Sequence, residues 1–138
     1  MNPFGTNVLT LTGRVLIALI FVISGFGKLT AFSGTVGYTA SLGVPMPEVA
    51  TAITVALELL GGLAIVAGWR VRTVATVFAL WLIPVTLLAH NPFTADAAHQ
   101  QAQMINLLKN AAILGAMLLL AAHGAGAWSL DGARGKKA

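Results

Sequence analysis

The sequence predicts an all-α integral membrane protein, an antiparallel bundle of four transmembrane helices with a short interfacial helix in its first outer loop. Three observations carry this prediction. Of 138 residues, 57% are hydrophobic and only 9% charged, against about 25% charged in a soluble domain, so polar groups are too few to clothe a water-exposed surface. Mean hydropathy is +0.86. The apolar residues also gather in four runs, roughly 8–29, 49–68, 73–89 and 104–123, each near the ~20 residues that a helix needs to cross a bilayer core.

The first run contains VLIALIFVI at 15–23 without a polar break. No Lys or Arg precedes Thr12 and no small-residue cleavage site follows, so a retained span is expected rather than a cleaved signal. Between the first two runs, Phe32, Val36 and Leu42 are expected on the apolar side of the interfacial helix, which Pro45 and Pro47 would stop. The alternative for that segment is an irregular surface loop. The connection Trp69–Arg72 is so short that the second and third spans must be antiparallel neighbours in sequence. Pro84 interrupts the third run and predicts a kink near 80–84, tolerated where neighbours satisfy the freed carbonyl. The fourth run is followed by 124–138, read as a frayed basic tail outside the 1–123 transmembrane domain.

Charge placement gives an orientation. Arg14, Arg70, Arg72, Arg134, Lys136 and Lys137 collect at the end bearing both termini, leaving Lys28 and Lys109 for the other. The excess of basic residues predicts a multi-pass membrane protein with both termini cytoplasmic, and Trp69 and Trp128 as interface markers. The same distribution argues against nucleic acid, which needs basic residues clustered on one groove. With no cysteine in the chain, disulfide scaffolds, thiolate metal centres and catalytic thiols are excluded.

Ionisable residues inside a span cost about 2.5–3.5 kcal/mol on insertion scales, so their positions carry information. Arg14, Phe21 and Lys28 are seven apart and share a face, with Ser24 and Gly25 beside them. Arg14 and Lys28, near the span's two ends, are read either as snorkelling anchors or as site residues. Glu58 lies mid-span, roughly 13 Å from the outer surface by helical rise, and Lys109 roughly 9 Å from that surface. Depth and charge balance predict a Glu58–Lys109 pair facing the bundle interior, with Gly61 and Gly62 on the same face allowing close helix approach. Gln103, Asn106, Lys109 and Asn110 form a polar stripe on the fourth span, and Thr86 and His90 share a face on the third.

With Lys28, these groups are expected to line a polar pocket in the outer half of the bundle. The candidate ligand-binding residues are thus Lys28, Glu58, His90, Asn106, Lys109 and Asn110. The competing reading is interhelical glue, since polar side chains bond between membrane helices at modest gain. Lys and His beside apolar walls suit a carbonyl, the anion formed on reducing a quinone, or a lipid headgroup. Haem fits poorly, because His90 and His123 fall at opposite ends and His99 lies in a loop beside Asp96. No metal site is expected. Gly25 and Gly27 lie within a span rather than after a strand, so no nucleotide fingerprint is present.

Four segments taken together resemble the DoxX family of small four-span bacterial membrane proteins: GRVLIALIFVISGFGKL at 13–29, YTASLGVPMPE at 38–48, ELLGGL at 58–63 and QMINLLKN at 103–110. Each is weak alone; their order and spacing make the resemblance, which extends over roughly 13–120. It implies a four-helix bundle in the bacterial inner membrane. It also implies an activity linked to quinones, since some relatives are subunits of thiosulfate:quinone oxidoreductase and others join oxidative-stress complexes or quinone and catechol resistance. The family's polar span positions correspond to Arg14, Lys28, Glu58, His90, Lys109 and Asn110.

No covalently bound cofactor is expected, and any redox step requires a bound quinone or the cofactor of a soluble or membrane partner. Whether the chain is itself catalytic is left open by the residues. The alternatives are a non-enzymatic scaffold for a soluble redox partner and a small-solute or lipid-binding protein, either compatible with a homo-oligomer.

Overall fold

The computed structural model describes residues 2–135. Its elements are α1 (Pro3–Thr30), α2 (Phe32–Ser41), α3 (Pro47–Ala67), α4 (Val71–Ala89), α5 (Gln100–His123) and α6 (Leu130–Gly135). Helices α1, α3, α4 and α5 are each long and apolar enough to cross a membrane. Most begin a few residues before the apolar runs, because caps decide a helix end while hydropathy marks only the lipid-immersed part. Asn2 accepts a hydrogen bond from the Gly5 amide at 2.8 Å, and Pro3 occupies the first turn, where its missing N–H costs nothing. Pro47 opens α3 in the same way. Helix α4 continues through Pro84 to Ala89.

Between α1 and α3 the chain turns at Ala31 into α2, so the interfacial helix is present and the irregular loop is not. Phe32, Thr35, Val36, Thr39 and Leu42 form its inward, half-buried stripe, while the residues between them are exposed. A hydrogen bond of 3.0 Å between the Thr51 and Thr39 hydroxyls ties α2 to α3.

The four long helices pack in chain order. Helix α1 lies along the length of α3 in the most extensive pairing of the fold, α3 meets α4 through its Leu57–Ala67 half, and α4 lies along α5. Helices α3 and α5 form no such pair. Their diagonal placement decides the site chemistry below.

Membrane helices gain nothing from hiding apolar surface from lipid, so contact must come from close approach and fit. A Cβ on Gly25 would come within 2.9 Å of Glu58 Cβ and 3.1 Å of the Leu59 amide nitrogen. One on Gly62 would stand 2.8 Å from Val22 Cγ2. These two glycines let α1 and α3 approach backbone to side chain. The core of Ala18, Phe21, Ile65, Phe78, Ile113 and Met117 fills the half of the bundle nearer the termini, with the Phe21 and Phe78 rings 4.1 Å apart. Outward leucines and isoleucines, such as Ile23 and Leu60, stay exposed for lipid.

Residues 124–135 are not frayed. Ala125 is buried, and the Arg14 guanidinium, itself 2% exposed, donates to the carbonyls of Ala125, Trp128 (2.9 Å) and Val66 (3.2 Å). Arg14 is therefore neither a snorkelling anchor nor part of the outer pocket; it clamps the segment after α5 onto the bundle. The Asp131 carboxylate accepts from the Arg70 and Val71 amides at 2.8 and 2.9 Å, satisfying two orphan donors at the start of α4. Arg72, although exposed, likewise donates to backbone carbonyls, those of Ala121 and Ala122 ending α5. Lys136 and Lys137, counted above as orienting charges, lie outside the described residues.

Candidate functional site

The half of the bundle opposite the termini is hollow. A cavity of about 570 Å³ lies between α1, α3, α4 and α5, with α2 across its outer end. Its size falls within the 300–1,000 Å³ typical of small-molecule sites. Phe21, Trp81, Leu82 and Ile113 supply apolar walls.

The lining includes Lys28, Glu58, His90, Lys109 and Asn110, five of the six residues singled out from the sequence. Asn106 does not line it; its Oδ1 accepts from the Lys109 ammonium at 3.0 Å. His90 Nδ1 lies 3.1 Å from Gln103 Oε1, joining the ends of α4 and α5. The Asn110 amide donates to the Thr86 hydroxyl at 3.0 Å.

The predicted Glu58–Lys109 pair is corrected. Glu58 pairs with Lys28, whose ammonium donates to Glu58 Oε1 and Oε2 at 2.9 and 2.8 Å and to the Ser24 hydroxyl. Two physical reasons decide the partner. Helix α1 is the packed neighbour of α3 at this level, whereas α5 is diagonal to it. Side chains on a helix also lean toward its N-terminus. On α1 that direction is inward, so Lys28 reaches down to Ser24 and Glu58. On α5 it is outward, so Lys109 leans toward Asn106, away from Glu58. Similar depth of two residues therefore did not imply contact.

Locally, α3 widens into a π-turn at Leu57–Gly61, the segment that carries Glu58. Such turns are rare and recur at functional sites. Here it faces Gly25, where the absent side chain leaves room for Glu58 and Leu59. Glu58 is 4% exposed, its carboxylate held by Lys28 of α1.

Ser24 and the Thr39–Thr51 pair were not predicted as lining. Their signal was periodicity: Ser24 is one turn before Lys28, Thr51 two turns before Glu58, and Thr39 one turn after Thr35. Asp96 and His99 are exposed and do not line the cavity, and the His99 hydrogen bonds hold the Asp96 carboxyl below its ordinary range. Among the described residues, no cluster of His, Asp or Glu is arranged to hold a metal ion.

Comparison with known proteins places this geometry in a family context. The family model described as DoxX matches residues 9–91. The inner membrane protein YphA of Escherichia coli is 44% identical over 126 residues, covering 90% of this chain and 89% of that protein. YqjF, another E. coli inner membrane protein, is 34% identical over 134 residues, covering 95% of each. CatD of Bacillus subtilis, whose name proposes an oxidoreductase, is 33% identical over 90 residues, covering 64% of this chain and 66% of that protein. No solved structure matches the chain.

Proposed function

This chain belongs to the DoxX family, and from that premise we propose that it is a quinone-binding membrane component of, or partner to, an oxidoreductase or oxidative-stress system. The single observation that carries the reading is the cavity. A flat ring with two carbonyl oxygens and an apolar tail asks for aromatic and aliphatic walls, a few donors at defined points and an open side toward lipid. Phe21 and Trp81 provide the walls, and Lys109 provides a donor. Lys28 is less available, because Glu58 and Ser24 already engage it. A quinone held there would bring the redox chemistry, which the cysteine-free chain does not itself supply. The protein's part is to bind the ring, orient its oxygens and limit water. The name of CatD supports the direction of this proposal without naming a substrate.

The reading also carries an orientation, both termini in the cytoplasm, with Arg70 and Arg134 on that face and the cavity in the outer leaflet. A scaffold that docks a soluble partner on the arginine-rich face draws less support, since Arg14 and Arg72 are turned onto backbone carbonyls. The test is equilibrium binding of a short-chain quinone analogue to the protein in nanodiscs. Saturable binding that weakens in Glu58→Gln and Lys109→Met is expected. No saturable binding, or binding indifferent to both changes, would overturn the proposal. A periplasm-active reporter fused to the C-terminus should stay silent; activity refutes the orientation.

A further inference from the structure

The cavity holds two ammonium groups and one carboxylate, and their pairing is unequal. Lys28 is satisfied: Glu58 neutralises it and Ser24 takes a further donor. Lys109 has only the neutral Asn106 oxygen. The chain offers little else to balance it. Of its four acids, Glu58 faces Lys28, Asp131 caps α4 and Asp96 pairs with His99. Glu48 sits exposed in the first turn of α3 and does not line the cavity. Among the described residues no carboxylate lies within ion-pair distance of Lys109. A cation at the edge of an apolar cavity, with donors to spare and no anion of its own, favours a ligand that brings one.

The cavity also has an apolar way in. Helix α3 meets α4 through its Leu57–Ala67 half, and the Pro47–Ala56 half makes no comparable contact. On either side of that seam Ile53 and Leu88 line the cavity while remaining 60% and 52% exposed. A molecule with an apolar tail can leave its tail among lipids there while its head sits inside.

We propose that the cavity binds an amphiphile with an oxyanion head, the head held by Lys109 at the rim and the tail leaving between Ile53 and Leu88. The inference concerns the same cavity as the quinone reading but does not rest on it. Two sources share this chemistry, a free single-chain carboxylate and an anionic phospholipid of the bilayer.

Trp81 lines the cavity and reports on it. In a Trp69→Phe, Trp128→Phe background it is the remaining tryptophan of the three. Decanoate is titrated into nanodiscs of zwitterionic lipid at about pH 8, where a carboxylic acid is ionised, and Trp81 fluorescence is followed. Decanol serves as the uncharged match. The expected result is saturable decanoate binding at least about tenfold tighter than decanol, the size of one charge-assisted hydrogen bond. The preference should vanish in Lys109→Met and persist in Lys109→Arg. Equal binding of acid and alcohol, or a preference that survives Lys109→Met, overturns the inference. Adding phosphatidylglycerol to the discs separates the sources: competition dependent on Lys109 means a bilayer phosphate takes the site, and its absence means a free carboxylate does. Decylubiquinone in the same assay keeps the two readings apart. Quinone binding without a carboxylate preference defeats this inference alone, and carboxylate binding without quinone binding defeats only the quinone proposal.

Discussion

Removing the Lys28 ammonium tests the pairing on which the site depends. In Lys28→Met, Glu58 loses both hydrogen bonds to its carboxylate, which accepts from no other group among the described residues. At 4% exposure it is left as an unpaired buried charge. Breaking a buried ion pair from one side costs about 3–5 kcal/mol. The Lys28 side chain is 30% exposed and the cavity admits some hydration, so the lower end, about 3 kcal/mol, is expected. Glu58→Leu should cost less, about 1–2 kcal/mol, because a released Lys28 can extend toward water.

The double variant removes both charges and should be close to neutral, which leaves a coupling of about 4–5 kcal/mol between the sites. Unfolding by SDS titration from mixed micelles, followed by tryptophan fluorescence, measures all three. Lys109→Met, changed at an exposed ammonium bonded only to Asn106, should shift stability by no more than about 0.5 kcal/mol. A coupling below about 0.5 kcal/mol, or a larger loss from Lys109→Met than from Lys28→Met, would refute the assignment of Lys28 as the partner of Glu58.

Gly25→Ala places a methyl 2.9 Å from Glu58 Cβ and 3.1 Å from the Leu59 backbone; overpacking of this kind should cost about 1–3 kcal/mol in the same titration. Arg14→Lys keeps the charge but cannot span three carbonyls, so residues 124–135 should become sensitive to limited proteolysis while the bundle stays folded. Asp131→Ala uncovers the Arg70 and Val71 amides, with an expected cost of about 1 kcal/mol and faster hydrogen exchange at those two positions.

Much of the architecture was legible in the sequence because its signals are local or additive. Scarce charge and four long apolar runs decide membrane class and span number, for lipid cannot satisfy a backbone that is not helical. The stripe Phe32, Val36 and Leu42 announced α2, whose inward face it forms. Lys28, Glu58, His90, Lys109 and Asn110 stood out because an ionisable or amide group in a span is costly, and all five border one cavity.

The partners were not legible. Helix order around the bundle is a long-range property, and no periodicity reveals that α5 stands diagonal to α3 while α1 lies beside it. The π-turn at Leu57–Gly61 depends on what the helix packs against, as does the space Gly25 leaves for it. Basic residues after the last span read as a solvated tail, yet Arg14 and Asp131 tie that segment to the bundle across more than a hundred and about sixty residues of chain. Composition and spacing determined that a few charges would lie inside the membrane. Which of them neutralise each other was decided only by tertiary structure, because a charge is answered by the group that reaches it, and reach depends on which helix is the neighbour and which way its side chains lean.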